Sequence, residues 1–272
     1  LDNVNIAVGG IPTIVSTALA QTFTVNDPFT AASLITIQDA NGFPFITAAN
    51  DLRIHIPVGF NMVWRNITTA TIGGTASAKV STTVSYANSF RTLVVNVTAD
   101  LAASETITID GLAFETFSAA EAVDTLEIEV DNAGTIANTD TSTIAIGQPT
   151  LALAANQLFA IGDPSTAANT LTVDEDNTTP RILAANDLRI RIPAGLALEF
   201  NTTLTTPTFG GAASGRVAAT VSYPDVKTLL IDVTSNFAGT DTLTIAGLQY
   251  RNFTGASGPL GLNLEVNALT TN

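Results

Sequence analysis

The sequence predicts an all-β protein built from two tandem Ig-like antiparallel β-sandwich domains. Three observations predict it. Short runs alternate apolar and polar residues, turn-forming residues separate those runs, and the whole pattern occurs twice. Sustained apolar spacing of the 3.6-residue helical kind is absent.

The strands come first. Leu52-Arg53-Ile54-His55-Ile56, Thr106-Ile107-Thr108-Ile109 and Leu126-Glu127-Ile128-Glu129-Val130 each alternate with a period of two. Such runs, rich in Val, Ile and Thr, put one face in a core and the other outside. Asn41-Gly42, Gly73-Gly74, Gly210-Gly211 and Tyr223-Pro224-Asp225 supply the turns. At a spacing of roughly 8–12 residues this gives about nine or ten strands per copy.

The repeat is the strongest signal. Asn50-Asp51-Leu52-Arg53-Ile54-His55-Ile56-Pro57 returns as Asn186-Asp187-Leu188-Arg189-Ile190-Arg191-Ile192-Pro193. Asp27-Pro28 returns as Asp163-Pro164, and Thr92 to Thr98 as Thr228 to Thr234. Ile107 to Leu112 return as Leu243 to Leu248, and Phe114 and Phe117 as Tyr250 and Phe253. Order and spacing hold across all 272 residues, so the chain is a duplication.

The repeat leaves its own phase open. Asn5-Ile6-Ala7-Val8-Gly9 resembles Thr143-Ile144-Ala145-Ile146-Gly147, and Pro-Thr follows each (Pro12-Thr13 and Pro149-Thr150). On one phase this strand opens each domain, Asp131 to Ser142 is the linker, and both domains are complete. On the other it closes the domain before it. Residues 1–11 then form a donor-type strand, 12–147 the first sandwich and 148–272 a second sandwich lacking its last strand. Val4, Asn5, Ile6, Ala7 and Val8 would fill the slot in a neighbouring copy, a form of strand addition. Ile6 and Val8, two apart, share the face that would enter the groove. A head-to-tail contact of this type does not close and propagates into a filament.

Composition sets the surroundings. Charged residues make up 12%, against about 25% in ordinary soluble domains, and mean hydropathy is +0.33. Such a surface favours assembly. The net charge of −14 repels phosphate backbones and argues against nucleic acid as a partner. Nothing reaches the length of unbroken apolar residues that a membrane span needs. The first residue is Leu, which reads as a processed or excised mature chain. With no cysteine, disulfides, thiolate nucleophiles and zinc ribbons are excluded.

Catalysis finds few groups to use. His55 is the only histidine and its counterpart is Arg191; it reads as a solvent-facing strand residue more readily than as a general base. Lys79 and Lys227 hold unrelated positions in the repeat, and Glu127 with Glu129 reads as a solvated face. No enzyme activity and no required cofactor are expected. Acid-rich loops at Asp39-Ala40-Asn41-Gly42 and Asp174-Glu175-Asp176-Asn177 make Asp39, Asn41, Asp174 and Asp176 candidate calcium ligands, with polar turns as the plain alternative. Trp64 aligns with Phe200, which favours a core position over a sugar platform. Asn66, Asn96, Asn177, Asn201 and Asn252 head N-glycosylation sequons.

Through Asn50–Pro57, Tyr86–Thr98 and Ile107–Phe117, with their second copies, the chain resembles the tandem sandwich modules of prokaryotic surface proteins and pilus-like extracellular filaments. The resemblance implies an exported structural role, extracellular or at the cell surface, with no catalytic residues to carry over. The expected function is that of a filament subunit polymerising head to tail, its partner being itself. A stalk segment of a repetitive adhesin with two complete domains is the alternative, and a polysaccharide-binding sandwich the third.

Overall fold

A computed structural model describes residues 10–16 and 20–266. Strand accounts for 44% of the described residues and helix for 2%, so the protein is all-β. It divides into two compact units, residues 1–146 and 147–272.

In the first unit the strands are β1 (Thr13–Ser16), β2 (Ala20–Thr24), β3 (Thr30–Ala31), β4 (Ile35–Gln38), β5 (Leu52–His55), β6 (Val63–Trp64) and β7 (Thr71–Gly73). They continue with β8 (Val80–Ala87), β9 (Thr92–Val97), β10 (Thr106–Asp110), β11 (Ala113–Glu115), β12 (Glu121–Glu129) and β13 (Asn138–Gly147). Three sheets result, in the orders β1-β4-β10-β7, β3-β11-β6 and β2-β13-β12-β5-β9-β8. The alternation read from the sequence is the alternation of burial. Ile35, Ile37, Ile107 and Ile109 from one sheet meet Leu52, Ile54, Leu93, Val95, Leu126 and Ile128 from another in a single core.

In the second unit the strands are β14 (Thr150–Leu153), β15 (Thr166–Ala167), β16 (Leu171–Asp174), β17 (Leu188–Arg191), β18 (Glu199–Phe200) and β19 (Thr208–Gly210). After them come β20 (Val217–Asp225), β21 (Thr228–Val233), β22 (Thr242–Ala246), β23 (Gln249–Arg251) and β24 (Asn263–Glu265). The sheets β14-β16-β22-β19 and β15-β23-β18 reproduce two of the first unit. The third, β20-β21-β17-β24, has four strands among the described residues where its counterpart has six.

The strands are more numerous than the periodicity suggests, and many are only two to four residues long. β12 meets β13 with register shifts between Glu121 and Asp124 and between Thr125 and Glu127. The two copies share small details as well. A 3₁₀ turn sits at Ser77–Lys79 and again at Ser214–Arg216. The Tyr86 hydroxyl donates to the Ile67 carbonyl at 2.7 Å, and the Tyr223 hydroxyl to that of Leu204 at 2.8 Å.

Candidate functional site

The difference between the two large sheets defines the site. In the first unit β13 lies between β2 and β12. It pairs antiparallel with β12, setting Glu121 opposite Ile146, Asp124 opposite Ile144 and Thr125 opposite Thr143. Ile144, Ala145 and Ile146 are all buried. Asn138–Ser142 thus belongs to a strand of this unit and not to a linker, and Asp140 is tied into it by accepting from the Ser16 and Ser142 amides at 3.0 and 2.8 Å.

In the second unit, among the described residues, no strand pairs with the outer edge of β24, the counterpart of β12. The counterpart of β2, residues 156–160, is not a strand. Between them lies a cavity of about 460 Å³ lined by both flanks: Gln157 to Ala160 on one side and Gly255 to Leu260 with Leu262 on the other. Its floor includes Leu196, Leu198, Tyr250 and Phe253. Phe23, Phe60, Met62 and Leu126 are buried in the first unit, yet their counterparts Phe159, Leu196, Leu198 and Leu262 are all half-buried. At the rim Leu158 is 97% exposed and Leu260 is 53% exposed. The first unit has Thr22 and Asp124 at those repeat positions. An unpaired edge over an exposed apolar groove is the arrangement that invites strand addition.

Val4, Asn5, Ile6, Ala7 and Val8, expected to enter such a slot, lie outside the described residues.

The loop acids are taken up by bonds within the protein, most of them to backbone amides. The Asp39 carboxylate accepts the amides of Ala40, Phe45 and Ile46 at 2.7 to 3.2 Å. Its counterpart Glu175 accepts those of Asp176 and Ile182. Asp176 accepts from the Gln148, Thr178 and Thr179 amides. Asp174 accepts the Thr242 hydroxyl, and Asn41 accepts that of Ser104. Among the described residues no three His, Asp or Glu side chains gather as a cation site. Burial pushes the Glu175 carboxyl above its usual range against the pull of three backbone amides. At Asp176 burial pushes the same way, but the amides of Gln148, Thr179 and Thr178 outweigh it and hold the carboxyl below the usual range.

Two surface expectations need correcting. His55 is half-buried, with Nε2 2.8 Å from the Glu129 carboxylate and Nδ1 3.0 Å from the Thr92 hydroxyl. Glu129 is 1% exposed, because the turn after β12 folds over that face and donates the Gly134 amide to it. The second copy meets the same need with Arg191, whose Nε lies 3.0 Å from Glu265. Lys79 and Lys227 hold unrelated positions in the repeat, as read, but each has an arginine counterpart in the other copy. The ion pair Lys79–Glu105 recurs as Arg216–Asp241. Arg91 donates to the Phe60 and Pro57 carbonyls where Lys227 donates to that of Leu196. These correspondences were hidden by Arg–Lys exchange between the copies.

Trp64 is fully buried with its ring centroid 4.4 Å from that of Phe114, so it is core. Asn66, Asn96, Asn177 and Asn252 are exposed. Asn201 is half-buried and donates its amide to Gln249.

No family model and no curated protein matches the chain. Among solved structures it is similar to the C-terminal domain of the Streptococcus pyogenes antigen I/II-family protein AspA, at 8% identity over 95% of each chain with a TM-score of 0.41. It is similar to the C-terminal domain of the Streptococcus agalactiae AgI/II polypeptide BspA, at 7% identity over 94% of this chain and 96% of that one, TM-score 0.45. The collagen-binding domain of the Erysipelothrix rhusiopathiae surface protein RspB follows at 9% identity over 90% and 82%, TM-score 0.29. No described helix is long and apolar enough to cross a membrane.

Proposed function

We propose that the chain is the structural subunit of an extracellular filament that polymerises head to tail. Residues 4–8 of one copy enter the second unit of the next. One observation carries this reading: two copies of one fold differ in that a strand fills the slot beside β12 in the first, while in the second no described strand pairs beside β24 and an apolar cavity lies between the segments flanking that place. Asn5-Ile6-Ala7-Val8-Gly9 reads like the end of β13, Thr143-Ile144-Ala145-Ile146-Gly147. Burying Ile6 and Val8 is worth on the order of 3–5 kcal/mol, to which the main-chain ladder adds and from which association entropy subtracts.

A second reading makes the chain a stalk segment of a repetitive surface adhesin. The counterpart of β13 would fall just past residue 272, so residues following in a longer chain could fill the slot. Electron microscopy of the full chain beside one lacking residues 1–11 separates the two. Filaments from the full chain alone support strand donation. Single particles from both support the stalk, and filaments from both place assembly on another surface.

A further inference from the structure

We infer that the slot is half built in the free subunit and is completed by the incoming strand in one register: Ile6 at the place Ile144 holds in the first unit, Val8 at that of Ile146, and Asn5 opposite Gly261. This rests on the strand-donation reading and adds to it which segments of the acceptor order and how.

One wall is already in place. In β2, Gln21 donates its amide to the Ala31 carbonyl at 3.2 Å and accepts the Ser33 amide at 3.0 Å. Gln157 does the same with Ala167 and Asn169, at 2.9 and 2.7 Å. The Thr24 amide donates to Asp27 at 2.7 Å, and the Ala160 amide to Asp163 at 2.7 Å. Asn26 is bonded to the Phe117 carbonyl as Gly162 is to that of Phe253, both at 2.9 Å. Phe23 stacks on Phe117 as Phe159 does on Phe253, each at 4.6 Å. Gln157–Ala160 is therefore fixed at both ends in the position of β2, and no described strand pairs with it. Preorganisation of this kind lowers the entropy cost of docking.

The other wall has to form. Glu121–Thr125, the first half of β12, corresponds to Ser257–Gly261, which is coil. The substitutions within it suit a strand that forms late. Pro259 stands at the position of Val123, and Gly258 at that of Ala122. Those two positions sit in the register shift between Glu121 and Asp124, outside the ladder. Proline there withholds no hydrogen bond from an incoming strand, while it and the glycines at 258 and 261 weaken the segment as a strand on its own. The anchor before it is kept: the Thr254 amide donates to the Ala197 carbonyl as that of Ser118 does to Asn61.

The register follows from the pairing in the first unit. Thr143 faces Thr125, so Asn5 faces Gly261. Residues directly opposite on antiparallel strands have Cα atoms about 4.5–5.5 Å apart, within disulfide range. The chain has no cysteine of its own, and a Cβ at Gly261 meets nothing within 4 Å. A chain carrying both Asn5→Cys and Gly261→Cys, allowed to polymerise and then oxidised, is expected to give a reductant-sensitive covalent ladder on a denaturing gel. Asn5→Cys with Leu260→Cys, whose side chains would face opposite sides of the sheet, is expected to give none. In the unmodified chain, amide exchange over 157–160 and 257–262 should slow at least about tenfold on going from subunit to filament.

Filaments of the unmodified chain in which neither segment slows, or a ladder from the 5/260 pair instead, would overturn the register and the ordering while leaving head-to-tail assembly standing. If the 5/261 variant does not polymerise, exchange in the unmodified filament decides. Absence of filaments from the unmodified chain would remove the strand-donation reading itself.

Discussion

Phe23 and Phe159 occupy the same place in the two copies of the repeat, each stacked at 4.6 Å on the phenylalanine that follows β11 or β23, Phe117 or Phe253. Phe23 is 1% exposed and Phe159 is half-buried. Sequence, stacking partner and flanking hydrogen bonds are alike. What differs is the strand beside them, β13 for Phe23 and no described strand for Phe159. The loss of cover continues through Leu196, Leu198 and Leu262, so among the described residues the second core is less covered along one side.

Ile6→Asp is predicted to stop assembly while leaving both units folded. A carboxylate forced into an apolar slot loses its hydration without a partner. The concentration needed for filaments should rise at least about 100-fold, roughly 2.7 kcal/mol. Light scattering against concentration measures this, and thermal melting checks that the subunit itself is unchanged.

Gly74→Ala and Gly211→Ala should each destabilise their own unit by about 2 kcal/mol or more. Both glycines have positive φ, +87° and +83°. A Cβ there would run into the carbonyl of Thr106 or of Thr242. Denaturant melts are expected to show one transition moved in each variant.

Trp64→Phe is predicted to cost under about 1.5 kcal/mol, well below the roughly 3–5 kcal/mol of truncation to alanine. The second copy places Phe200 at this position, fully buried, and the Trp64 indole N–H has no hydrogen-bond partner to lose. Chemical denaturation of the variant tests it. Retention on insoluble polysaccharide should not depend on this ring.

Asp176→Asn should weaken the second unit at neutral pH and not in acid. The Asp176 carboxyl is held below its usual range, so its charged form contributes stability above the ordinary carboxylate pKa. That contribution fades as pH falls through the lowered value. Glu175, raised by burial, runs the other way: its contribution is present in acid and is lost as pH rises through the raised value. The expected cost of the substitution is about 1 kcal/mol at pH 7, with the two melting curves converging as pH falls through the lowered value.

Much of the architecture was legible. The period of two in Ile35, Ile37, Ile107 and Ile109 is the burial pattern itself, and the repeat predicted which elements recur. The phase was not legible, since a duplication does not mark where its unit begins. That information lies in the pairing of Ile144 and Ile146 with β12, a contact between strands. His55 and Glu129 fall on the polar side of their strands as read, but a turn covers that side, and alternation reports only sidedness. Asp39 reads as a loop acid, and so does the stretch that holds its counterpart Glu175. Whether such a carboxylate holds amides or a cation depends on where its lone pairs point, and here they point at backbone N–H groups. The slot needed both levels, a strand-like sequence at residues 4–9 and a cavity in the second unit.

The central claim is that this cavity accepts residues 4–8. The most direct measurement is calorimetry of the chain lacking residues 1–11, titrated with a synthetic peptide of residues 1–11. The account predicts saturable one-to-one binding and a rise in the melting of the second unit alone, worth about 2.7 kcal/mol when peptide stands at 100 times its Kd. Gly74→Ala and Gly211→Ala identify which transition is which. No binding, or a shift in the first unit instead, would contradict it.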